Sequence, residues 1–135
     1  MKDPSAAIRK AVVDKVRALG YSCYDRIPDT QSFPFVWVTN QSVTPFNTQD
    51  QWGYECSIDC VVVTGWTKEQ GGKLEADTMC NAINNAIVTR PANLTITGYY
   101  APIVISDNID SFEERTDTHI IYTKIARFKL TLYES

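Results

Sequence analysis

From Cys56 to Val62, apolar residues fall at every second position of Glu55-Cys56-Ser57-Ile58-Asp59-Cys60-Val61-Val62-Val63. A period of two puts Cys56, Ile58, Cys60 and Val62 on one face of an extended chain, with Glu55, Ser57 and Asp59 on the other. One side of this strand meets a core and the other begins wet. The end of the chain repeats the pattern. In His119 to Tyr133, residues Ile120, Tyr122, Ala126, Phe128, Leu130 and Leu132 share a face interrupted only by Lys124, and Arg127, Lys129 and Thr131 lie opposite.

Helical spacing surrounds these strands. After Ser5, the residues Ile8, Val12, Val16 and Leu19 follow one helical face, with Arg9, Lys10, Asp14 and Arg17 at polar positions and Gly20 as a stop. From Gly72 to Val88 the stripe is Leu74, Ala76, Met79, Cys80, Ile83 and Ile87, closed by Arg90-Pro91. Phe33 to Thr39 is aromatic and β-branched and reads as a strand, with Pro34 confined to its entry. Tyr99 to Ile109 is the remaining strand. Ser111 to Asp117 is charged and reads as a solvated hairpin tip, and Asn40 to Gln51 reads as a polar loop or the exposed tip of a long hairpin.

The order helix, strand, strand, helix, strand, strand predicts an α+β sandwich. An antiparallel sheet of about four strands is covered by two amphipathic helices, with long hairpins. The 135 residues, 44% hydrophobic, suit one domain spanning 1–135. No apolar run approaches the ~18 residues needed to cross a bilayer, and Met1-Lys2-Asp3-Pro4-Ser5 leads into no signal-peptide core, so synthesis in a cytoplasm and no membrane partner are expected. The net charge is −3, with bases scattered among acids, which disfavours direct nucleic-acid binding.

Chemistry-bearing patterns are sparse. Cys56 and Cys60 lie on one strand, where four residues span roughly 13 Å, beyond the ~7 Å limit for a disulfide. With one histidine, His119, and no Cys-x-x-Cys, Cys23, Cys56, Cys60 and Cys80 read as buried thiols, and no metal or cofactor is expected. Gly71-Gly72 lacks the lysine and hydroxyl of a phosphate loop. His119 after Asp117 has no nucleophile pattern beside it, and Asp107, Asp110, Glu113, Glu114 and Asp117 lack calcium-loop spacing. No catalytic residue is assigned, and the chain reads as a non-enzyme.

Tyr24-Asp25-Arg26-Ile27-Pro28 followed by Phe33-Pro34-Phe35-Val36-Trp37-Val38 resembles a segment after the first helix of the tail completion, or tail terminator, proteins of long-tailed bacteriophages. The similarity continues through Cys56-Ile58-Cys60-Val62, Gly65-Trp66-Thr67, Glu75-Ala76-Asp77, Ile83-Ala86-Ile87 and Ala126-Arg127-Phe128-Lys129-Leu130, with a lengthened polar stretch from Ser42 to Trp52 as a departure. The resemblance implies a homo-oligomeric, usually hexameric, ring at the head-proximal end of the virion tail. Such a ring ends tube polymerisation, meets the tail tube protein and the head connector, and lets DNA through its lumen without specific binding. The polar segment cannot stabilise itself by burial, so ordering by a neighbour is expected, with Phe46 or Trp52 as aromatic anchor. The candidate subunit or tube interface is Phe46, Asn47, Gln49, Trp52, Glu113, Glu114 and Arg115. A neck, head completion or minor tail protein is the alternative, followed by a small-molecule enzyme or ligand-binding domain.

Overall fold

The computed structural model describes residues 2–27, 32–47, 51–67 and 73–135. Seven elements follow in order: α1 (Ser5–Ala18), β1 (Cys23–Tyr24), β2 (Phe35–Asn47), β3 (Trp52–Thr67), α2 (Leu74–Ile87), β4 (Tyr99–Arg115) and β5 (His119–Glu134). The strands form one sheet in the order β1-β2-β3-β5-β4. Two long antiparallel hairpins, β2–β3 and β4–β5, meet along β3 and β5. The α+β class and long hairpins agree with the sequence. The sheet differs from the expected four antiparallel strands: it has five, and β1 pairs parallel to β2 through Cys23 with Val36 and Tyr24 with Trp37. Two residues are too few to show a period, so β1 left no pattern to read.

Helix α1 starts where Ser5 donates through its N–H and hydroxyl to Asp3 Oδ1 at 3.0 and 2.7 Å. It ends at Gly20, whose φ of +91° is the left-handed turn glycine adopts without a Cβ clash. Helix α2 has Glu75 and Asp77 in its first turn, where acids face the positive end of the helix dipole. Both helices lie on one face of the sheet, α1 over β1 and β2 and α2 over β3 and β5, and they touch each other.

Between them lies one core. Ile8, Val12 and Val16 of α1 and Met79, Cys80, Ile83 and Ile87 of α2 meet Val36, Val38, Cys56, Ile58, Cys60, Val62, Ala126, Phe128, Leu130 and Leu132. The two alternating strands read from the sequence thus form its floor. Leu94 and Ile96, from the chain between α2 and β4, close one end.

The strands outrun the helices. A 14-residue helix is about 21 Å long, whereas a 16-residue strand reaches about 53 Å. The β4–β5 end therefore projects beyond the helical layer, whereas Gly53 and Tyr54 near the β2–β3 end are buried. Residues 105–119 are exposed throughout. Of the two stretches expected as loop or hairpin tip, Asn40–Asn47 continues β2 and Ser111–Arg115 continues β4, so the strands run further into the hairpins than expected. The polar side chains of Ser111–Arg115 are compatible with extended backbone because all of residues 105–119 are exposed.

Candidate interaction surface

The two hairpins carry the residues singled out in the sequence. On β2–β3, Phe46 stands opposite Gly53 and Asn47 opposite Trp52. A Cβ built on Gly53 would come within 2.5 Å of the Phe46 ring, so the absent side chain is the seat for that ring. Phe46 also meets Tyr133 edge-on, with centroids 5.8 Å apart at 88°. Phe46 is thus folded onto its own sheet. Trp52 is 45% exposed and forms the apolar projection of this hairpin. Gln49 lies outside the described residues.

Glu113, Glu114 and Arg115 are strand residues paired with Tyr122, Ile121 and Ile120 of β5. Alternation separates them: Glu113 points to the helix face and Glu114 to the open face. Arg115 Nη2 meets Glu113 Oε1 at 3.3 Å. Glu113 also lines a cleft with Lys73, Asp77 and Lys124, where Lys124 Nζ contacts Asp77 at 2.6 Å and ties β5 to α2. The two candidate groups sit on different hairpins.

The side of β2 nearest α1 is shaped by a bulge. The register slips between Thr39 and Ser42, and Asn40 takes a φ of +51° there, a conformation asparagine tolerates better than most residues. The extra residue sends Gln41 toward α1, where its Nε2 donates to the Ser5 carbonyl at 2.9 Å and its Oε1 accepts from Arg9 at 3.0 Å. Asn40 donates to Asp59 at 3.2 Å. The bulge therefore fixes helix to hairpin, a role that the polar composition of this stretch does not reveal.

The open face is not uniformly wet. Around Asp59, Arg127 Nε donates to Oδ1 at 2.8 Å and Nη2 to Oδ2 at 3.2 Å. Further along, Phe33 stacks on Phe35 with centroids 5.9 Å apart and covers Gly65. Sequence alternation located this face but not its covering by aromatic rings, since Phe33 precedes β2 and gains its place only through tertiary packing.

Other groups with chemical potential are committed to the fold. His119 closes the β4–β5 turn: its N–H donates to Thr116 Oγ1 at 3.0 Å, its carbonyl accepts from the Thr116 N–H at 2.8 Å, and Nδ1 pairs with the Thr118 hydroxyl at 2.8 Å. All four thiols are buried and unbridged. Desolvation pushes Cys23 up to about 11 and Cys56 up to about 12, so both stay protonated and weakly nucleophilic near neutrality. Asp107 contacts Lys129 at 3.4 Å and Asp110 accepts from Asn108 at 3.1 Å, which spreads the acids along β4. Among the described residues no three histidine, cysteine or acidic side chains gather as metal ligands do.

A cavity of about 640 Å³ opens beside the start of α2, lined by Tyr21, Pro34, Trp66, Leu74, Glu75, Thr78 and Met79. Its wall is mostly apolar. Trp66 Nε1 finds no hydrogen-bond partner among the described residues. Its polar groups are those of Tyr21, Glu75, Thr78 and the Trp66 indole.

No protein-family model matches the chain. No curated protein matches it either. Among solved structures, a chain of "Virion of native gene transfer agent (GTA) particle" has the same fold, with a TM-score of 0.73 and 16% identity over 97% of this chain and 99% of that chain. The likeness extends over nearly the whole of both chains. At this identity it is a likeness of fold.

Proposed function

We propose that the protein is a structural component of a phage-like particle, forming a ring that caps the tail tube, ends its polymerisation and joins the tail to the head connector. The observation that carries this reading is the end-to-end fold match to a chain of a gene transfer agent virion, over 97% and 99% of the two chains. The resemblance of the residue pattern to tail terminator proteins adds the finer role to that likeness of fold. Long hairpins around a small core supply the two unlike faces that a closed ring needs, since a ring is a heterologous assembly. The role is non-enzymatic and uses no cofactor. Trp52, with the neighbouring Phe46, Asn47 and Gln49, serves as one contact, and Glu113, Glu114 and Arg115 serve as another.

Particles assembled without the protein test the reading. Tails of uncontrolled length that fail to join heads are expected, together with rings of the purified protein in solution or on tube ends. Normal tails on heads that leak or stay unfilled would transfer the protein to the neck. A protein that stays monomeric, binds no tubes and leaves tails normal when deleted would remove it from tail assembly.

A further inference from the structure

β4 is the outer strand on one side of the sheet, and among the described residues no strand lies beyond it. An edge strand leaves every second N–H and C=O free to pair with another chain, and proteins close such edges with lysine, proline or bulges. β4 bulges between Tyr100 and Ile103 and again between Ser106 and Asn108. Beyond the second bulge the strand is regular. Residues 108–115 pair one by one with residues 127–120 of β5, and the stretch holds neither lysine nor proline. Its outer rim faces water, since residues 105–119 are all exposed.

Side chains decide what fits there. Asp110, Phe112 and Glu114 share the open face of the sheet, whereas Ile109, opposite the core residue Ala126, lies on the helix face. Phe112 is 57% exposed and Ile109 44%, so an added strand covers apolar area on both faces. The β5 residues opposite Asp110 and Glu114 are Ile125 and Ile121, which offer the carboxylates no partner. Among the described residues Asp110 accepts from Asn108 at 3.1 Å, and Glu114 forms no ion pair.

Opposite charges across a strand pair support it and like charges weaken it. Two β4 edges laid antiparallel about Phe112 bring Asp110 against Glu114 twice, so the edge is closed to its own kind. In no described strand of this chain do two bases stand four residues apart. β2 and β3 hold none, β4 holds Arg115 alone, and β5 holds Lys124, Arg127 and Lys129. A strand of a second copy therefore does not match this edge.

We infer that the edge at residues 108–115 takes up an extended segment of another protein, with bases four residues apart against Asp110 and Glu114 and a large apolar side chain between them against Phe112. Main-chain hydrogen bonds hold such a segment, and its alternate side chains select it. The docking needs one subunit only and stands whether or not subunits close a ring.

The probe is a fluorescent peptide, Thr-Lys-Thr-Ile-Thr-Lys-Thr, whose pattern reads alike in both directions and puts both lysines and the isoleucine on one face. A second peptide has glutamate in place of lysine, and a third, Thr-Thr-Lys-Lys-Ile-Thr-Thr, keeps the composition and loses the spacing. Anisotropy measures binding, amide hydrogen exchange locates it, and thermal melting follows folding. The first peptide is expected to bind the native protein with a dissociation constant below about 1 mM and to slow exchange at alternate amides of residues 108–115. The other two peptides should bind at least about tenfold more weakly. Asp110→Lys with Glu114→Lys should weaken the lysine peptide by at least about tenfold and strengthen the glutamate peptide. Phe112→Ala leaves both charges in place and should weaken the lysine peptide about threefold, which keeps the test open where the reversed variant fails to fold. No binding of the lysine peptide at about 1 mM would overturn the docking. So would equal binding of the respaced peptide, protection confined to other strands, or a folded reversed variant that treats the peptides as the native protein does.

Discussion

Asp59 is 1% exposed on the sheet face that has no helices, where the alternating pattern promises a solvated position. The carboxylate is tolerated because Arg127 grips both of its oxygens and Asn40 adds a third donor. Replacing Arg127 by Met leaves this group buried with only the Asn40 hydrogen bond. A loss of about 1–3 kcal/mol is expected, below the full cost of an orphaned buried charge because the Arg127 site is half open to water. Urea unfolding checks it, and an unchanged midpoint would show that the pair contributes nothing. The thiols make a second prediction. Burial raises Cys23 to about 11 and Cys56 to about 12 from 9.0, and Cys60 and Cys80 also move up through burial. The unfolded chain releases these protons near pH 9, whereas the folded chain retains them. Stability is therefore fully present below the unfolded value and falls as pH rises toward the folded ones. The midpoint should be flat between about pH 6 and 8 and lower at about pH 10.5, and thiol reagents should label the native protein slowly and the unfolded chain quickly. Rapid native labelling would contradict the packing. Burial of the thiols was legible because cysteines at every fourth position of an alternating strand have one face to share. The Asp59 cluster was not, because its partners come from 19 and 68 residues away.

At the scale of elements, patterns with many turns or alternations were readable and edges were not. Helix α1 stops beside Gly20, α2 ends three residues before Arg90, and β3 and β5 lie where the alternation places them. The extension of β4 was hidden because its exposed end needs no apolar face along Ser111–Arg115, and that of β2 because the bulge at Asn40 and polar partners such as Gln41 break its alternation. The two polar segments that hold the candidate residues were legible as separate hairpin tips, whereas the seating of Phe46 on Gly53 and Tyr133 was not. Two substitutions separate holding a hairpin together from presenting it to a partner. Phe46→Ala removes a ring seated on Gly53 and Tyr133 and should cost about 1–2 kcal/mol, part of the loss typical of a fully buried phenylalanine. Trp52→Ala removes a half-exposed ring and should change stability by no more than about 0.5 kcal/mol. Tube attachment by the Trp52 variant should nonetheless weaken by about tenfold or more, since exposed tryptophans at contacts carry disproportionate binding energy. Stability losses in the opposite order would place Trp52 in the fold. Full attachment by the Trp52 variant would take it out of the contact.

For the whole molecule, charge distribution matters more than its total of −3. The bases of α1 form the most cationic element and the acids of β4 the most anionic. Within the chain, bases of α1 are already engaged, Arg9 with Asp25, Lys10 with Asp14 and Arg17 with the Cys23 carbonyl. Little is left to attract a polyanion. Proteins that hold duplex DNA do so by releasing counterions from several phosphates, with non-specific dissociation constants of about 10⁻⁴–10⁻⁶ M and a steep dependence on salt. A ring through which DNA must pass is served by the reverse, because each phosphate contact would slow passage. The assembled protein should therefore leave the fluorescence anisotropy of labelled duplex DNA unchanged at roughly 10 μM subunit and ~0.15 M salt. Binding that strengthens sharply as salt falls would show phosphate contacts on an exposed surface. It would shift the protein from a tube cap toward a neck component that grips the packaged end of the DNA.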